Sequence, residues 1–162
     1  MTESIVKYKQ GDLFESNDWN VLIHGCNAQG VMGSGIAKTI RDNFPQVWED
    51  YYKEYITCQT FNNELELGHV IITPHQRING REVTICSAIT QRYYGRDGRR
   101  YVDYFAVHRA LEKVFYMFGA QDVFAMPMIG GGLGGGDVTT LKQIYELAAK
   151  TTNQNNITVY TL

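Results

Sequence analysis

The stretch Val21-Leu22-Ile23-His24-Gly25-Cys26-Asn27-Ala28-Gln29-Gly30-Val31-Met32-Gly33-Ser34-Gly35-Ile36-Ala37-Lys38 decides the fold class. Its first residues, Val21 to His24, open on a continuous apolar run of the kind carried by strands buried on both faces. Glycines follow, and Ser34 to Asn43 then predicts a helix. Glycine lets backbone N–H groups come close to a ligand, and a helix N-terminus adds a partial positive charge. A buried strand passing through such a turn into a helix is a ready-made anion cradle in an α/β sheet.

Working outward, Ile5 to Tyr8 reads as a short strand before this unit, and Pro45 to Ile56 as a second helix after it. Pro45 suits a first helical position, where its missing N–H is no loss. His69 to Thr73 and Glu82 to Ser87 are β-branched runs joined through Asn79-Gly80, a strong hairpin signal. Val107, Leu111, Val114 and Phe118 form one face of a helix between Val102 and Phe118, with Gly119 expected as its C-cap. Val123 to Met126 reads as a strand. Asp137 is placed to cap a last helix that turns Leu141, Ile144, Tyr145 and Ala148 inward, and Ile157 to Tyr160 closes the chain as a strand. Strands alternating with helices predict an α/β fold, a three-layer α/β/α sandwich whose central sheet the hairpin makes mixed. A single domain over residues 1–162 is expected. Ligands of such sheets sit beyond the carboxyl ends of the strands, where the glycine turn lies.

Composition narrows the function. At 44% hydrophobic and 20% charged residues, the chain sits near the average of soluble globular proteins. A formal net charge of -2 gives no overall drive towards nucleic acid or membrane, so any such contact needs a local patch. Cys26, Cys58 and Cys86 are odd in number and lack a C-x-x-C pair, which argues against a disulfide framework or zinc knuckle. Met1-Thr2-Glu3-Ser4 has no basic segment leading into an apolar one, and no apolar run approaches the roughly 20 residues of a membrane span. A cytoplasmic protein without membrane contact is expected. His69, His75 and His108 have no metal spacing, so neither a metal nor a cofactor is expected.

A second glycine loop, Met128-Ile129-Gly130-Gly131-Gly132-Leu133-Gly134-Gly135-Gly136-Asp137, joins a strand to a helix. Neither loop fits a familiar nucleotide motif. Gly30-x-x-x-x-Gly35 begins like a P-loop, but Lys38 comes three residues after the glycine instead of directly after it. Gly130 to Gly135 matches G-x-G-x-x-G, yet residues 151 to 162 hold no acidic side chain where a dinucleotide fold wants one for the ribose. A flexible surface turn remains the plain alternative, but six glycines are a heavy entropic load for a connector. Two anion-cradling loops on one sheet edge suggest one ligand with linked phosphates.

The motifs together resemble the macrodomain family over nearly the whole chain. Gln10-Gly11-Asp12-Leu13 is similar to its G-D-[IL] motif. His24-Gly25-Cys26-Asn27 with Met32-Gly33-Ser34-Gly35-Ile36-Ala37 resembles its H-x-C-N…G-x-G-I-A loop. Phe44-Pro45, Ala88-Ile89-Thr90-Gln91 and Ile129-Gly130-Gly131-Gly132-Leu133 fit as well. The resemblance is to the branch of ADP-ribose 1″-phosphate phosphatases and ADP-ribosyl hydrolases. It implies ADP-ribose or a derivative as ligand, with ADP-ribosylated protein or nucleic acid as a further partner. It implies that Asp12 accepts from the adenine amino group, that the Leu13 N–H faces the ring, and that Asn27 orients the distal ribose. Gly33, Ser34, Gly35 and Ile36, with Ile129, Gly130, Gly131, Gly132, Leu133, Gly134 and Gly135, would hold the diphosphate. Asp12 and Asn27 each have a plainer reading, as turn or cap residues.

Catalysis is where the chain departs from the pattern. Some hydrolases of this branch carry a lysine after the Ile-Thr pair and an aspartate after the second loop's Gly-Leu; here those places are Gln91 and Gly134. What remains is His24, Asn27 and Asp137, with His24 as acid, base or nucleophile and Asp137 orienting it or activating water. Against this stands a buried, hydrogen-bonded His24 with Asp137 as a helix cap. The expected activity is hydrolysis of the phosphate of ADP-ribose 1″-phosphate; the alternatives are removal of ADP-ribose from protein or nucleic acid, or binding without turnover. A basic aromatic stretch, Arg92, Tyr93, Tyr94, Arg96, Arg99, Arg100 and Tyr101, is either a solvated loop or a contact for the outer phosphate or a modified nucleic acid.

Overall fold

The computed structural model describes residues 4–33 and 35–162. Six strands, β1 (Lys7–Gln10), β2 (Val21–Asn27), β3 (Val70–Ile78), β4 (Arg81–Gln91), β5 (Phe124–Pro127) and β6 (Ile157–Thr161), form one sheet in the order β1-β6-β5-β2-β4-β3. All neighbours pair in parallel except β3 and β4. The α-helices among the described residues are α1 (Gly35–Asn43), α2 (Pro45–Thr60), α3 (Tyr104–Met117) and α4 (Val138–Thr152).

Strand β2 shows why the sheet is covered on both faces. Val21 and Ile23 pack with Val107, Val114, Leu141 and Tyr145 of α3 and α4, whereas Leu22 and Cys26 pack with Ile40, Val47 and Tyr51 of α1 and α2. Alternate side chains of one apolar run thus feed two separate cores. The result is the three-layer sandwich around a mixed sheet.

The differences from expectation lie at element ends. The first strand starts at Lys7, not Ile5, because the Glu146 carboxylate takes the N–H groups of Ile5 (3.0 Å) and Val6 (2.8 Å) that a ladder would use. Asn79 and Gly80, at φ 49° and 81°, make the expected hairpin turn, and its strands run further than hydrophobicity marks, to Ile78 and Gln91. Asp103 caps α3 by accepting from the Ala106 N–H (2.9 Å), so that helix begins two residues after Val102. Gly119 is not a left-handed cap: the chain leaves α3 through an extended Phe118, and the Gly119 N–H donates to Asp122 (2.7 Å).

Candidate functional site

Five parallel strands bring their carboxyl ends to one edge. The two glycine loops follow β2 and β5, which are neighbours in the sheet. They therefore face each other across a cleft of about 370 Å³. Gly33, Gly35 and Ile36 line one wall, and Ile129, Gly130, Gly131, Leu133 and Gly134 the other. Gly25, Cys26, Asn27, Thr90 and Gln91, at the ends of β2 and β4, line it as well.

Each loop is fastened from beneath by a tyrosine with no solvent exposure. The Tyr51 hydroxyl donates to the Asn27 carbonyl oxygen (2.7 Å) and accepts from the N–H groups of Gly30 (3.0 Å) and Val31 (3.2 Å). The Tyr145 hydroxyl donates to the Ile129 carbonyl oxygen below the second loop. Desolvation pushes both phenols above their ordinary pKa, so each stays a neutral donor. Asn27 stiffens the first turn itself, donating to the Val31 carbonyl (2.9 Å) while its Oδ1 accepts from the Gln29 N–H (2.9 Å).

The second loop leans on the segment before α3. The Gly134 carbonyl accepts from the N–H groups of Tyr101 (2.8 Å) and Val102 (3.0 Å). Gly135 sits at φ +72°, and a Cβ there would stand 2.4 Å from the Arg99 carbonyl oxygen. Only glycine fits both the conformation and the approach.

The structure brings most expected ligand residues together and separates the expected catalytic ones. Asn27, Gly33, Gly35, Ile36, Ile129, Gly130, Gly131, Leu133 and Gly134 line the cleft, while Gly132 and Gly135 shape the second loop without lining it. Ser34 lies outside the described residues. Asp12 caps a 3₁₀ turn, accepting from the Phe14 N–H (2.9 Å). Leu13 is buried, and its carbonyl accepts from the Trp19 indole (2.8 Å). Both stand past the end of β1, on the cleft's edge of the sheet but outside its lining.

His24 and Asp137 stand apart from the cleft lining. His24 shares the parity of Leu22 and Cys26, so its ring lies under the sheet's α1 and α2 face, fully buried and outside the cleft lining, with Nε2 2.8 Å from the Ser87 hydroxyl. Burial lowers its pKa to about 4, so it stays neutral. Asp137 is the N-cap of α4, its carboxylate accepting from the N–H (2.9 Å) and hydroxyl (2.8 Å) of Thr140, which hold its pKa below the usual carboxylate range. It too is outside the lining.

Thr90, Gly95, Pro127 and Met128 also line the cleft, and Tyr94 and Arg96 bring the basic aromatic stretch to it. Arg96 is the only formally charged side chain lining it among the described residues. Burial pushes the Cys26 thiol up to about 12, leaving it without thiolate character at neutral pH. No group of three His, Cys, Asp or Glu side chains among the described residues is arranged to hold a metal. The cleft can therefore bind an anion and position water, and among the described residues no carboxylate or imidazole lines it to take a proton.

Residues 23–145 match the Macro domain family, and the chain belongs to it. Over 83 residues it is 34% identical to an ADP-ribose 1″-phosphate phosphatase of Aspergillus oryzae, a match covering 51% of this chain and 40% of that protein. The chain spans about half the length of the curated relatives it matches. Among solved structures, the macrodomain of Mycobacterium tuberculosis DarG superposes with a TM-score of 0.78 at 22% identity, covering 99% of both chains. Thermosipho africanus DarTG in complex with ADP-ribose superposes with a TM-score of 0.76 at 19% identity, covering 96% of this chain and 41% of that one. No helix among the described residues is long and apolar enough to cross a membrane.

Proposed function

We propose that this chain binds ADP-ribose derivatives in the cleft and hydrolyses the terminal phosphate of ADP-ribose 1″-phosphate. The observation that carries this is the convergence of two glycine loops, from adjacent parallel strands, on one space of about 370 Å³. Backbone N–H groups gathered there suit a pyrophosphate. Asp12 and the Leu13 N–H, at the β1 end of the same edge, hold the adenine. Asn27 meets the distal ribose with the donor and acceptor capacity its turn bonds leave over. The names of the curated relatives supply the substrate.

In the reaction, the oxygen of a water attacks phosphorus and the bond from phosphorus to O1″ breaks. The products are ADP-ribose and inorganic phosphate, with the water's protons shared between the departing oxygen and the phosphate. Transfer from a phosphate monoester runs through a loose transition state, in which positioning and charge stabilisation do most of the catalysis. A cleft rich in amides and poor in acids and bases fits that chemistry. A cytoplasmic setting belongs to the same proposal, and free thiols at Cys26, Cys58 and Cys86 fit a reducing compartment.

The same poverty of acids and bases favours a second reading, a module that binds ADP-ribose without turning it over. Calorimetry with ADP-ribose, beside phosphate release from ADP-ribose 1″-phosphate, separates the two. Heat with phosphate release is expected. Heat alone leaves the binding module, and no heat removes the ligand. ADP-ribose released from modified protein or DNA, without phosphate release, moves the activity to the glycosidic bond.

A further inference from the structure

We propose that Arg96 is a specificity-determining residue that selects ligands carrying an extra phosphate at the end of the cleft farthest from Asp12; this rests on the cleft holding an ADP-ribose-type nucleotide. The segment bearing it is a built loop. Its neck is closed by a bridge between Gln91 and Val102. Inside, the Asp97 carboxylate accepts from the Tyr101 hydroxyl (2.8 Å) and the Arg99 N–H (3.2 Å) and pairs with the Arg99 guanidinium (2.8 Å). Tyr101 lies so close to Gly95 that a Cβ there would be 2.2 Å from its hydroxyl.

This frame uses its other arginines and leaves one over. Arg92 pairs with Glu64, Arg99 with Asp97, and Arg100 sits over the Tyr104 ring at 4.6 Å. Arg96 has no ion pair or ring partner among the described residues, and it lines the cleft.

Sheet order gives its place along the ligand. The sequence β1-β6-β5-β2-β4 sets β1, which leads to Asp12, and the β4 end from which the Arg96 segment springs four strand spacings apart, roughly 19 Å. The glycine loops lie between, at β5 and β2. With adenine at Asp12 and pyrophosphate between the loops, the distal ribose points towards β4 and Arg96. A phosphomonoester on that ribose brings anionic oxygens to a guanidinium fork, whose geometry and charge suit them. ADP-ribose itself has no anion there.

The test compares wild type, R96Q and R96K on three nucleotides: ADP-ribose, ADP-ribose 1″-phosphate, and ADP-ribose 2′-phosphate, whose extra phosphate sits on the adenosine side. Kd is measured by calorimetry, or KM from initial rates where the nucleotide is turned over. R96Q is expected to weaken ADP-ribose 1″-phosphate by about tenfold and the other two by less than about threefold, with R96K between. Equal weakening of all three, or no change in any, overturns the assignment while leaving the nucleotide site standing. Absence of binding of every nucleotide by the wild type removes the nucleotide site, and the role of Arg96 falls with it.

Discussion

Replacing Tyr51 with Phe removes one oxygen and tests whether the first glycine loop is held by a buried hydroxyl. That oxygen serves three backbone groups, the Asn27 carbonyl and the N–H groups of Gly30 and Val31, at 2.7, 3.0 and 3.2 Å. Each bond contributes about 1 kcal/mol net, and a group left unsatisfied in the interior costs at least as much. The gap left by a single oxygen is too small for a water to replace it. Tyr51→Phe should therefore cost about 3 kcal/mol, a melting temperature lower by about 6–12 °C in a chain of this size. Freed from its tether, the turn must be ordered by the ligand, so the Kd for ADP-ribose should rise by about tenfold. Thermal unfolding by circular dichroism and calorimetric titration read the two effects. A melting temperature within about 2 °C of wild type, with unchanged affinity, refutes the tether. Tyr145→Phe is the matching perturbation of the second loop.

Three further outcomes follow from the site. His24 titrates at about 4 when folded against 6.5 in an open chain, so the unfolded chain binds the extra proton first. Stability should be full above pH 6.5 and fall by about 3 kcal/mol as the pH drops towards 4, and His24→Gln, read by urea unfolding, should lose that acid sensitivity while keeping phosphate release. Asp137→Ala removes a helix cap outside the cleft lining: the melting point should fall by a few degrees with kcat unchanged, and a large loss of kcat in the folded variant would restore Asp137 to the chemistry. Gly135→Ala puts a methyl 2.4 Å from the Arg99 carbonyl at a left-handed backbone position, which must push the second loop off its support. Binding of ADP-ribose should weaken by at least about tenfold, and wild-type affinity would show that the loop yields elsewhere.

Sequence revealed the order of elements because periodicity is a property of whole segments: Val21 to His24, the α4 face and the Asn79-Gly80 turn each speak locally. Ends were less legible, since they depend on distant partners such as Glu146 at the start of β1. The meeting of the two glycine loops at one sheet edge could be read because each follows a strand and leads into a helix. The depth of His24 could not be read, because parity alone does not decide it: His24 shares the α1 and α2 face with Leu22 and Cys26, but it sits two residues further from the carboxyl end of β2 than Cys26, which reaches the cleft. Burial also removed the near-neutral pKa on which its candidacy stood. The tethering role of Tyr51 was hidden for another reason: its place in a helical stretch says nothing about what a buried hydroxyl touches.

Among the described residues no hydrogen bond runs directly between the two glycine loops; the arginine-bearing segment bonds to both. At its start, the Arg92 carbonyl accepts from the Ala28 N–H (3.3 Å) and the Gln29 side chain (2.9 Å), both in the first loop. At its end, the N–H groups of Tyr101 and Val102 hold the Gly134 carbonyl of the second. The distance between the two sets of amides is thus fixed by a third element before any ligand enters. This matters because backbone N–H groups carry no adjustable side chain: they bind a pyrophosphate well only if held at the right separation, and ordering them on binding would subtract from affinity. The cross-link supplies that order in advance, and the same segment carries Arg96, the one formally charged residue on the cleft wall among the described residues. Spacing of the glycine loops and placement of the charge are therefore a single structural decision, made by residues 92–102.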